Sequence, residues 1–373
     1  MTRLREELEA ADDRRRFGTG WLSGTAALVL AVIGLAAVLC LRYPDVLTVP
    51  DARAFYHVGY IRAALQLALI AGFLLGIVSI SLRENKALGF AAIAIILVAT
   101  ILGGSRATAR FDVDADVYFG LDWFLLNVLF TGMIFIPLER IFYLREQPVF
   151  RFEWREDLFY FFVSSMFVQV LTYLSLAPSM AVLQHTKWEG FRAAVGSQPL
   201  PLQFLEIMFL TDFVQYWLHR GFHRSSWLWK FHAVHHSAQR MDWAAGARMH
   251  FIEIVVLRGF TVVPMYVMGF TPTAMYAYIF FVYLFSTFVH ANLRWKFGRW
   301  SAWFVTPRFH HWHHGIEREA IDVNFAVHFP VLDRMFGTYY LPPDEKWPEG
   351  YGIGGHPVPK GFWRQMLYPF RGK

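Results

Sequence analysis

Histidine is concentrated in one part of this 373-residue sequence, because eleven of its 15 histidines lie between residues 219 and 314. Three groups have helical spacing: HRGFH from His219, HAVHH from His232 and HHWHH from His310. Residues three or four positions apart share a helix face, so each group presents two or three imidazoles in one direction. Imidazole binds zinc, copper, iron and nickel. The pattern therefore predicts a transition-metal site.

A further histidine, His290 in the motif HANL, brings the candidate ligands to nine: His219, His223, His232, His235, His236, His290, His310, His313 and His314. Nine imidazoles exceed the usual complement of one ion, which is about four to six ligands, so two metal ions is the simplest interpretation. His311 lies about 100° around the helix from His310 and is left out of the set. Four isolated histidines are interpreted as ordinary core or surface residues: His57, His185, His328 and His356.

Several polar residues near these motifs are candidate additional ligands or partners of ligands. Metal-bound imidazoles usually donate their other N–H to a carboxylate or carbonyl group. Asp212 precedes His219 by two helical turns on the same face, so we expect it to be that partner, or else to pair with Tyr216 or Arg220. Asp322 and Asn324 are expected to serve the third group from the following loop, or to form a turn there. The remaining candidates are His250, as a tenth ligand or a supporting group, and Glu253.

The composition indicates a membrane protein. Hydrophobic residues make up 55% of the chain and charged residues only 17%, whereas soluble proteins carry about 25% charged residues. A conventional soluble enzyme is therefore excluded. Cys40 is the single cysteine, which excludes disulfide scaffolds and cysteine-based zinc or iron-sulfur sites. The net charge of +6 does not point to nucleic acid, because the basic residues lie mostly at the ends of apolar runs.

Six stretches are long and apolar enough to cross a bilayer: residues 17–41, 63–82, 87–105, 117–138, 158–183 and 202–218. The last of them contains Glu206 and Asp212, and carboxylates within a membrane indicate function by default. Lysine and arginine in the connecting loops predict a cytoplasmic N-terminus. Six crossings would then return the chain to the cytoplasmic side just before His219.

A seventh apolar run, residues 259–289, is interrupted by Gly269-Phe270-Thr271-Pro272. The interruption favours a hairpin of two helices or a re-entrant pair over a single tilted span. An even number of crossings would bring His290 back to the other histidines. The predicted fold is therefore all-α, a polytopic membrane helical bundle with a histidine-box cap on its cytoplasmic side. We expect an N-terminal transmembrane extension over 1–116, a histidine-box domain over 117–340 and an interfacial tail over 341–373.

The ordered set of motifs resembles the fatty acid hydroxylase and sterol desaturase superfamily of integral-membrane di-iron proteins. The resemblance extends over roughly residues 122–338 and leaves the first three spans unexplained. Its motifs are Asp212 with Tyr216 before HRGFH, then LWKFHAVHHS, RMHFIE, HANL and TPRFHHWHH, and finally Asn324-Phe325 with DRMFGT at 333–338. Any one of these motifs is weak, but their order is specific.

The resemblance implies two iron ions held by the nine histidines, O₂ as co-substrate, and hydroxylation or desaturation of a lipid C–H bond. The chain shows no fused cytochrome b5-like domain, so we expect a separate electron-transfer protein, either cytochrome b5-like or a ferredoxin with its reductase. The alternatives are a membrane metal transporter and a zinc-dependent membrane hydrolase. The hydrolase lacks support from an HExxH or G-x-S-x-G motif, and transporter ligands belong near the bilayer midplane. The lipid itself is left open by the sequence.

Overall fold

The computed structural model describes residues 2–10, 12–107, 117–185, 188–355 and 357–371. Regular secondary structure within these residues is helical, apart from the isolated bridges Tyr143–Leu293 and Gly315–Tyr351. The predicted all-α fold is confirmed. His356 lies outside the described residues. The chain divides into two compact units, residues 1–129 with 165–169, and residues 130–164 with 170–373.

The first unit is built on three long apolar helices. Its helices are α1 (Thr2–Leu8), α2 (Trp21–Arg42), α3 (Pro44–Leu47), α4 (Pro50–Arg53), α5 (Val58–Leu82) and α6 (Ala87–Ile101). Helices α2, α5 and α6 pack against one another through small residues. A Cβ atom at Gly89 would lie 2.6 Å from the carbonyl oxygen of Gly76, so only glycine allows α5 and α6 to approach this closely.

Three helices include the boundaries between the two units: α7 (Leu121–Ile141), α8 (Trp154–Met166) and α9 (Val168–Leu183). The predicted span over 158–183 is broken in the structure, because the axes of α8 and α9 are bent by 68°. The break falls at Phe167, between two segments that are each too short to cross a bilayer alone.

The second unit contains the histidine motifs. Its remaining helices are α10 (Glu189–Gly196), α11 (Leu200–Arg224), α12 (Ser226–His236), α13 (Phe251–Val267), α14 (Pro272–His290), α15 (Pro307–His313), α16 (Val331–Met335) and α17 (Phe362–Leu367).

Among the residues that the structure describes, five helical segments are long and apolar enough to cross a membrane: Trp21–Arg42, Val58–Leu82, Ala87–Arg106, Leu121–Ile141 and Pro272–His290. The bent pair α8 and α9 raises the number to six if it counts as one span. The sixth predicted span, 202–218, lies inside α11, which is not among these segments. Helix α11 carries Glu206, Asp212, His219 and two arginines along its 25 residues, so it is less apolar than the others.

Helices α13 and α14 both pack against α11. The helix ends that carry His219, His250 and His290 lie at one end of the unit. At the opposite end, the Gln203 side-chain oxygen accepts hydrogen bonds from the backbone N–H (2.9 Å) and hydroxyl (3.0 Å) of Thr271, which lies between α13 and α14. The predicted break between two helices there is confirmed. Gly269 has φ +87°, a conformation that favours glycine.

The helical rise sets the distance between these two ends. Sixteen residues separate Gln203 from His219, which corresponds to about 24 Å along α11. His250 starts α13 and His290 ends α14, so both lie at the same end as His219. The hairpin therefore returns His290 to the other histidine groups.

Candidate metal centre

Four helices, α11, α12, α14 and α15, carry the clustered histidines or end next to them. His219 and His223 lie on the last two turns of α11, and His290 is the last residue of α14. Ser225 caps α12, its hydroxyl oxygen accepting a hydrogen bond from Leu228 N–H at 3.4 Å. Thr306 caps α15 in the same way and is followed by proline at the first helical position, a favoured start for a helix. These caps fix where the second and third histidine groups begin.

The nine predicted histidines form two groups in the structure. One potential ligand atom from each residue of a group lies within 4.8 Å of all the others in that group. The five-histidine group contains His219, His223, His232, His236 and His313, and the four-histidine group contains His235, His290, His310 and His314. The groups adjoin, since the rings of His236 and His314 stack with centroids 4.3 Å apart. Each group has enough donors for one ion.

The spacing of the ring nitrogens fits metal coordination. Metal–imidazole bonds are about 2.1 Å long, so two ligands at right angles on one ion have their nitrogens about 3.0 Å apart. In the five-histidine group, His232 Nε2 lies 3.0 Å from His219 Nε2 and 3.1 Å from His236 Nε2. In the four-histidine group, His310 Nε2 lies 2.9 Å from His290 Nε2 and 3.2 Å from His314 Nε2. In both groups, therefore, the distances between ring nitrogens are suitable for binding one metal ion.

Backbone carbonyl groups orient four of the rings. The Nδ1–H of His219 donates to Phe325 O at 2.9 Å, and that of His313 donates to Val323 O at 2.8 Å. His290 donates to Ser286 O at 2.7 Å, and His235 donates to Arg248 O at 3.1 Å. A carbonyl oxygen can only accept, so the hydrogen of each neutral ring is on Nδ1. The Nε2 lone pair is left for a metal ion.

Burial keeps these imidazoles neutral. Burial lowers the pKa of six imidazoles, those of the motifs HAVHH and HHWHH that belong to the two groups, well below its usual value. They are His232, His235, His236, His310, His313 and His314. Neighbouring histidines act in the same direction, because a second positive charge would be repelled. The neutral form is the one that binds metals. The cluster is therefore in its ligand-competent state at neutral pH.

One carboxylate contacts a clustered ring deep inside the unit. Glu253, on the first turn of α13, places its Oε1 atom 2.6 Å from His232 Nδ1, and both side chains are buried. A carboxylate in this position fixes the ring orientation and raises the basicity of Nε2. Among the additional candidates, Glu253 therefore has the strongest contact with a clustered histidine.

Glu253→Gln is expected to lower the metal affinity of the five-histidine group by about 10- to 100-fold. Burial raises the pKa of the Glu253 carboxyl in the metal-free protein, whereas a metal-bound His232 would favour its ionised form. The amide can still accept a hydrogen bond, but it cannot take the charge that would make His232 a stronger donor to the ion. A metal titration of the purified protein measures the change. Glu206→Gln is the matched control, because Glu206 contacts Gln198 at the far end of α11. Equal affinities for the Glu253 variant and the original protein would contradict this role.

The prediction that Asp212 partners His219 is wrong. The Asp212 carboxylate accepts backbone hydrogen bonds from Val327 (2.7 Å), His328 (3.0 Å) and Phe329 (2.7 Å). The Nδ1 atom of His219 contacts the Phe325 carbonyl instead. Helical spacing places Asp212 on the correct face of α11, but a buried carboxylate satisfies whichever N–H groups the tertiary structure brings to it. Asp212 thus acts on the loop that supplies the partner of His219.

The other additional candidates have different partners. Asp322 Oδ1 lies 3.3 Å from Nδ1 of His223, which belongs to the first histidine motif, although the third was predicted. Asn324 contacts the backbone of Phe309 and Tyr340 and no imidazole among its hydrogen-bond partners in the described chain. It thereby ties the loop to α15.

His250 lies outside both histidine groups. Its Nδ1 atom accepts a hydrogen bond from Ile252 N–H, and its Nε2–H donates to Met366 O at 3.0 Å. Both nitrogens are occupied, so His250 supports the start of α13 and does not serve as a tenth ligand. Four more histidines also lie outside the groups: His57, His185, His311 and His328.

A buried ion network supports the centre and was not predicted from the sequence. Arg151 Nη2 and Arg248 Nε both contact the Asp157 carboxylate, at 2.6 and 2.5 Å. Arg151 also donates to Asp242 at 2.6 Å. Because the Arg248 carbonyl accepts from His235, the network holds one wall of the four-histidine group. Arg248 begins the motif RMHFIE, but Asp157 lies 91 positions before it and outside every motif, so their contact could not be predicted from the sequence.

Glu139 is a second supporting residue that the sequence did not reveal. Its carboxylate accepts the backbone N–H of Trp243 at 2.7 Å and of Asn292 at 2.9 Å. Asn292 follows His290 by two residues, so Glu139 fixes the chain immediately after that histidine. The only available signal was a carboxylate near the end of a predicted span.

Residues 204–338 match the family model described as fatty acid hydroxylase. The chain is therefore similar to fatty acid hydroxylases over this segment. The segment includes all nine histidines of the two groups. The resemblance indicated by the ordered motifs is confirmed.

Curated proteins that are similar to this chain are named hydroxylases and monooxygenases. The ornithine lipid hydroxylase OlsE of Rhizobium tropici is 27% identical over 76% of this chain and 86% of the relative. The alkylglycerol monooxygenase of Xenopus tropicalis is 32% identical over 46% of this chain, but the match spans only 37% of that relative. The putative methylsterol monooxygenase of Dictyostelium discoideum is 26% identical over 52% of this chain and 70% of the relative. No solved structure matches the chain.

Proposed function

We propose that this protein is a membrane-bound di-iron oxygenase that hydroxylates a C–H bond of a lipid, using O₂ and electrons from a separate protein. The observation that carries the proposal is the pair of adjoining histidine groups, with five and four convergent imidazoles. The relatives add independent support, because their names describe lipid hydroxylation or monooxygenation.

The donor set fits two iron ions. Imidazole is a good ligand for iron, and neutral rings leave the positive charge of an ion intact. His223 Nε2 is buried without a hydrogen-bond partner in the described part of the chain, as expected for an atom that binds a metal ion. Iron bound by these two groups would supply the O₂ activation that oxidation of an unactivated C–H bond requires.

The donor set also argues against the two alternatives. A catalytic zinc site usually has three protein ligands and one water, whereas these groups offer five and four imidazoles. Transported metals bind near the bilayer midplane between broken helices. The histidines of α11 and α14 instead lie at helix ends, next to the loops that complete the groups.

The protein's own contribution is to orient the ligands and to exclude water. Phe325 packs its ring 5.0 Å from His223 and 5.5 Å from His219. Phe222, also fully buried, lies 5.8 Å from His232. A water-poor site of this kind strengthens electrostatic interactions and limits side reactions.

The substrate class that we propose is an amphipathic lipid. The relatives are named for ornithine lipids, alkylglycerols and methylsterols, all of which combine a polar group with a large apolar body. We place the site on the cytoplasmic side, where the basic loops predict it. A cytochrome b5-like protein or a ferredoxin with its reductase would reach it there.

Comparative lipid mass spectrometry of cells with and without the protein tests this function. We expect one lipid class to gain a single oxygen atom only in cells that contain the protein. Loss of two hydrogens from that class would instead assign desaturation. An unchanged lipid profile, in cells that contain the inserted and iron-loaded protein, would contradict the proposal.

A further inference from the structure

A cavity of about 200 Å³ with a mixed polar and apolar lining lies beside the histidine groups. Its polar wall consists of Glu153, Ser237, Gln239, Arg248, Lys360 and Gln365, and its apolar side consists of Ile353, Pro357, Val358 and Pro359. Two of these residues connect it to the metal centre. Ser237 follows His236 directly, and the carbonyl of Arg248 accepts the hydrogen bond from His235. A molecule in this cavity would therefore lie against the outer side of both groups.

Arg248 has a donor that lacks an acceptor. Its guanidinium is fully buried, with Nε 2.5 Å from Asp157 and Nη1 3.0 Å from Glu153. The Nη2 atom is buried and has no hydrogen-bond partner among the residues that the structure describes. A buried donor without an acceptor is costly and calls for an explanation such as a ligand oxygen. Arg248 is also one of the residues that line the cavity.

The cavity wall carries both signs of charge. Lys360 is exposed and holds its ammonium 4.7 Å from the centre of the Phe152 ring. Arg248 is the second cation, and the carboxylate of Glu153 is the anion. Glu153 uses Oε2 for Arg248, and a carboxylate has further acceptor capacity on its two oxygens. Such a wall can hold an anionic oxygen group and an ammonium at the same time.

We propose that this cavity binds the zwitterionic headgroup of the lipid substrate. The anionic group of the headgroup, a carboxylate or a phosphate, accepts from Arg248 Nη2 and pairs with Lys360, while its ammonium donates to Glu153. The volume holds several water molecules and is sufficient for a small headgroup. This inference rests on the proposed function and narrows its substrate class. It also places the oxidised carbon near the headgroup, because the cavity wall adjoins His235 and His236.

Lipid binding without turnover tests the inference separately from the reaction. The full-length protein in detergent is titrated with three lipids of identical chains: phosphatidylethanolamine, phosphatidylglycerol and diacylglycerol. We expect phosphatidylethanolamine to bind at least about tenfold more tightly than the other two, the effect of one charge-assisted contact. Equal affinities would overturn the inference, even if a lipid oxygenase activity is found. Preferred binding with no oxidation would instead count against the proposed function alone.

Two variants test the proposed contacts of Arg248 and Lys360 with the anionic group of the lipid. Arg248→Lys keeps a cation next to Asp157 and removes Nη2, and Lys360→Gln removes the exposed charge with little risk to folding. Each is expected to weaken phosphatidylethanolamine binding several-fold and to leave diacylglycerol binding unchanged. Lys346→Gln is the control, since its ammonium is exposed and 3.7 Å from Glu349. Unchanged binding by a folded Lys360→Gln protein would overturn the role of Lys360 and with it the zwitterion pairing.

A competition experiment separates a lipid headgroup from a free small molecule. Phosphoethanolamine without acyl chains is added to the protein with bound phosphatidylethanolamine. We expect displacement only at concentrations far above the lipid affinity, because the chains contribute apolar burial. Displacement at equal concentrations would show that the cavity binds the free zwitterion, and would overturn its assignment to the lipid substrate.

Discussion

His235→Ala is expected to reduce the bound metal from two ions to one per chain and to abolish lipid oxidation. The residue belongs to the four-histidine group, so three ligands remain there, while the five-histidine group keeps its full set. We expect activity to fall by about a thousand-fold or more, equivalent to roughly 4 kcal/mol in the activation barrier. Metal analysis of the purified variant and a lipid oxidation assay measure the two effects.

The matched control for this variant is His311→Gln. His311 lies within the third histidine motif and is equally buried, but its Nδ1 atom contacts the Tyr351 hydroxyl at 2.8 Å and the residue belongs to neither group. This variant is expected to retain two ions. Two ions in the His235→Ala protein, or one ion in a folded His311→Gln protein, would contradict the assignment of residues to groups.

Asp212→Ala is expected to cause a large loss of stability, although Asp212 belongs to neither histidine group. It would leave three buried N–H groups, those of Val327, His328 and Phe329, without their acceptor. Each unsatisfied group costs about 1–3 kcal/mol, so we expect a loss of at least about 3 kcal/mol. That loss corresponds to a fall in Tm of roughly 6–12 °C. Thermal unfolding in detergent measures it.

Metal binding should change together with stability in this variant. The loop held by Asp212 follows Phe325, whose carbonyl orients His219. Asp344→Ala is a suitable control, because its carboxylate accepts a single exposed backbone hydrogen bond and should leave Tm unchanged. If Asp212→Ala lowers metal affinity without any change in Tm, Asp212 acts on a ligand directly, and the contacts described above do not explain its role.

Helical spacing identified eight of the nine histidines, His290 being the exception, and the same spacing explains how those eight divide between the two groups. The pairs four residues apart stay together: His219 with His223, His232 with His236, and His310 with His314. In the motifs HAVHH and HHWHH, the histidine three residues after the first one belongs to the other group. His235 is in the four-histidine group although His232 is in the five-histidine group, and His313 is in the five-histidine group although His310 is in the four-histidine group. Side chains one position apart point about 100° away from each other, so adjacent histidines such as His235 and His236 diverge.

The partners of the histidines could not be predicted in the same way. Asp212 has the correct spacing on α11, yet it contacts a loop more than 100 residues later. Glu253 has no spacing relation to His232, and their contact depends on how α13 packs beside α12. The bend between α8 and α9 likewise has no proline or glycine at Phe167 to mark it. Such features arise from tertiary packing, which a local pattern does not contain.

The most direct test of the account is the number and identity of the metal ions in the protein purified from iron-replete cells. Elemental analysis against protein concentration, combined with Mössbauer spectroscopy of the ⁵⁷Fe-enriched protein, measures both. We predict about two iron ions per chain, in two distinct nitrogen-rich environments that correspond to the groups of five and four histidines. A single zinc ion per chain, with lipid oxidation that proceeds without iron or a reductant, would contradict the central claim.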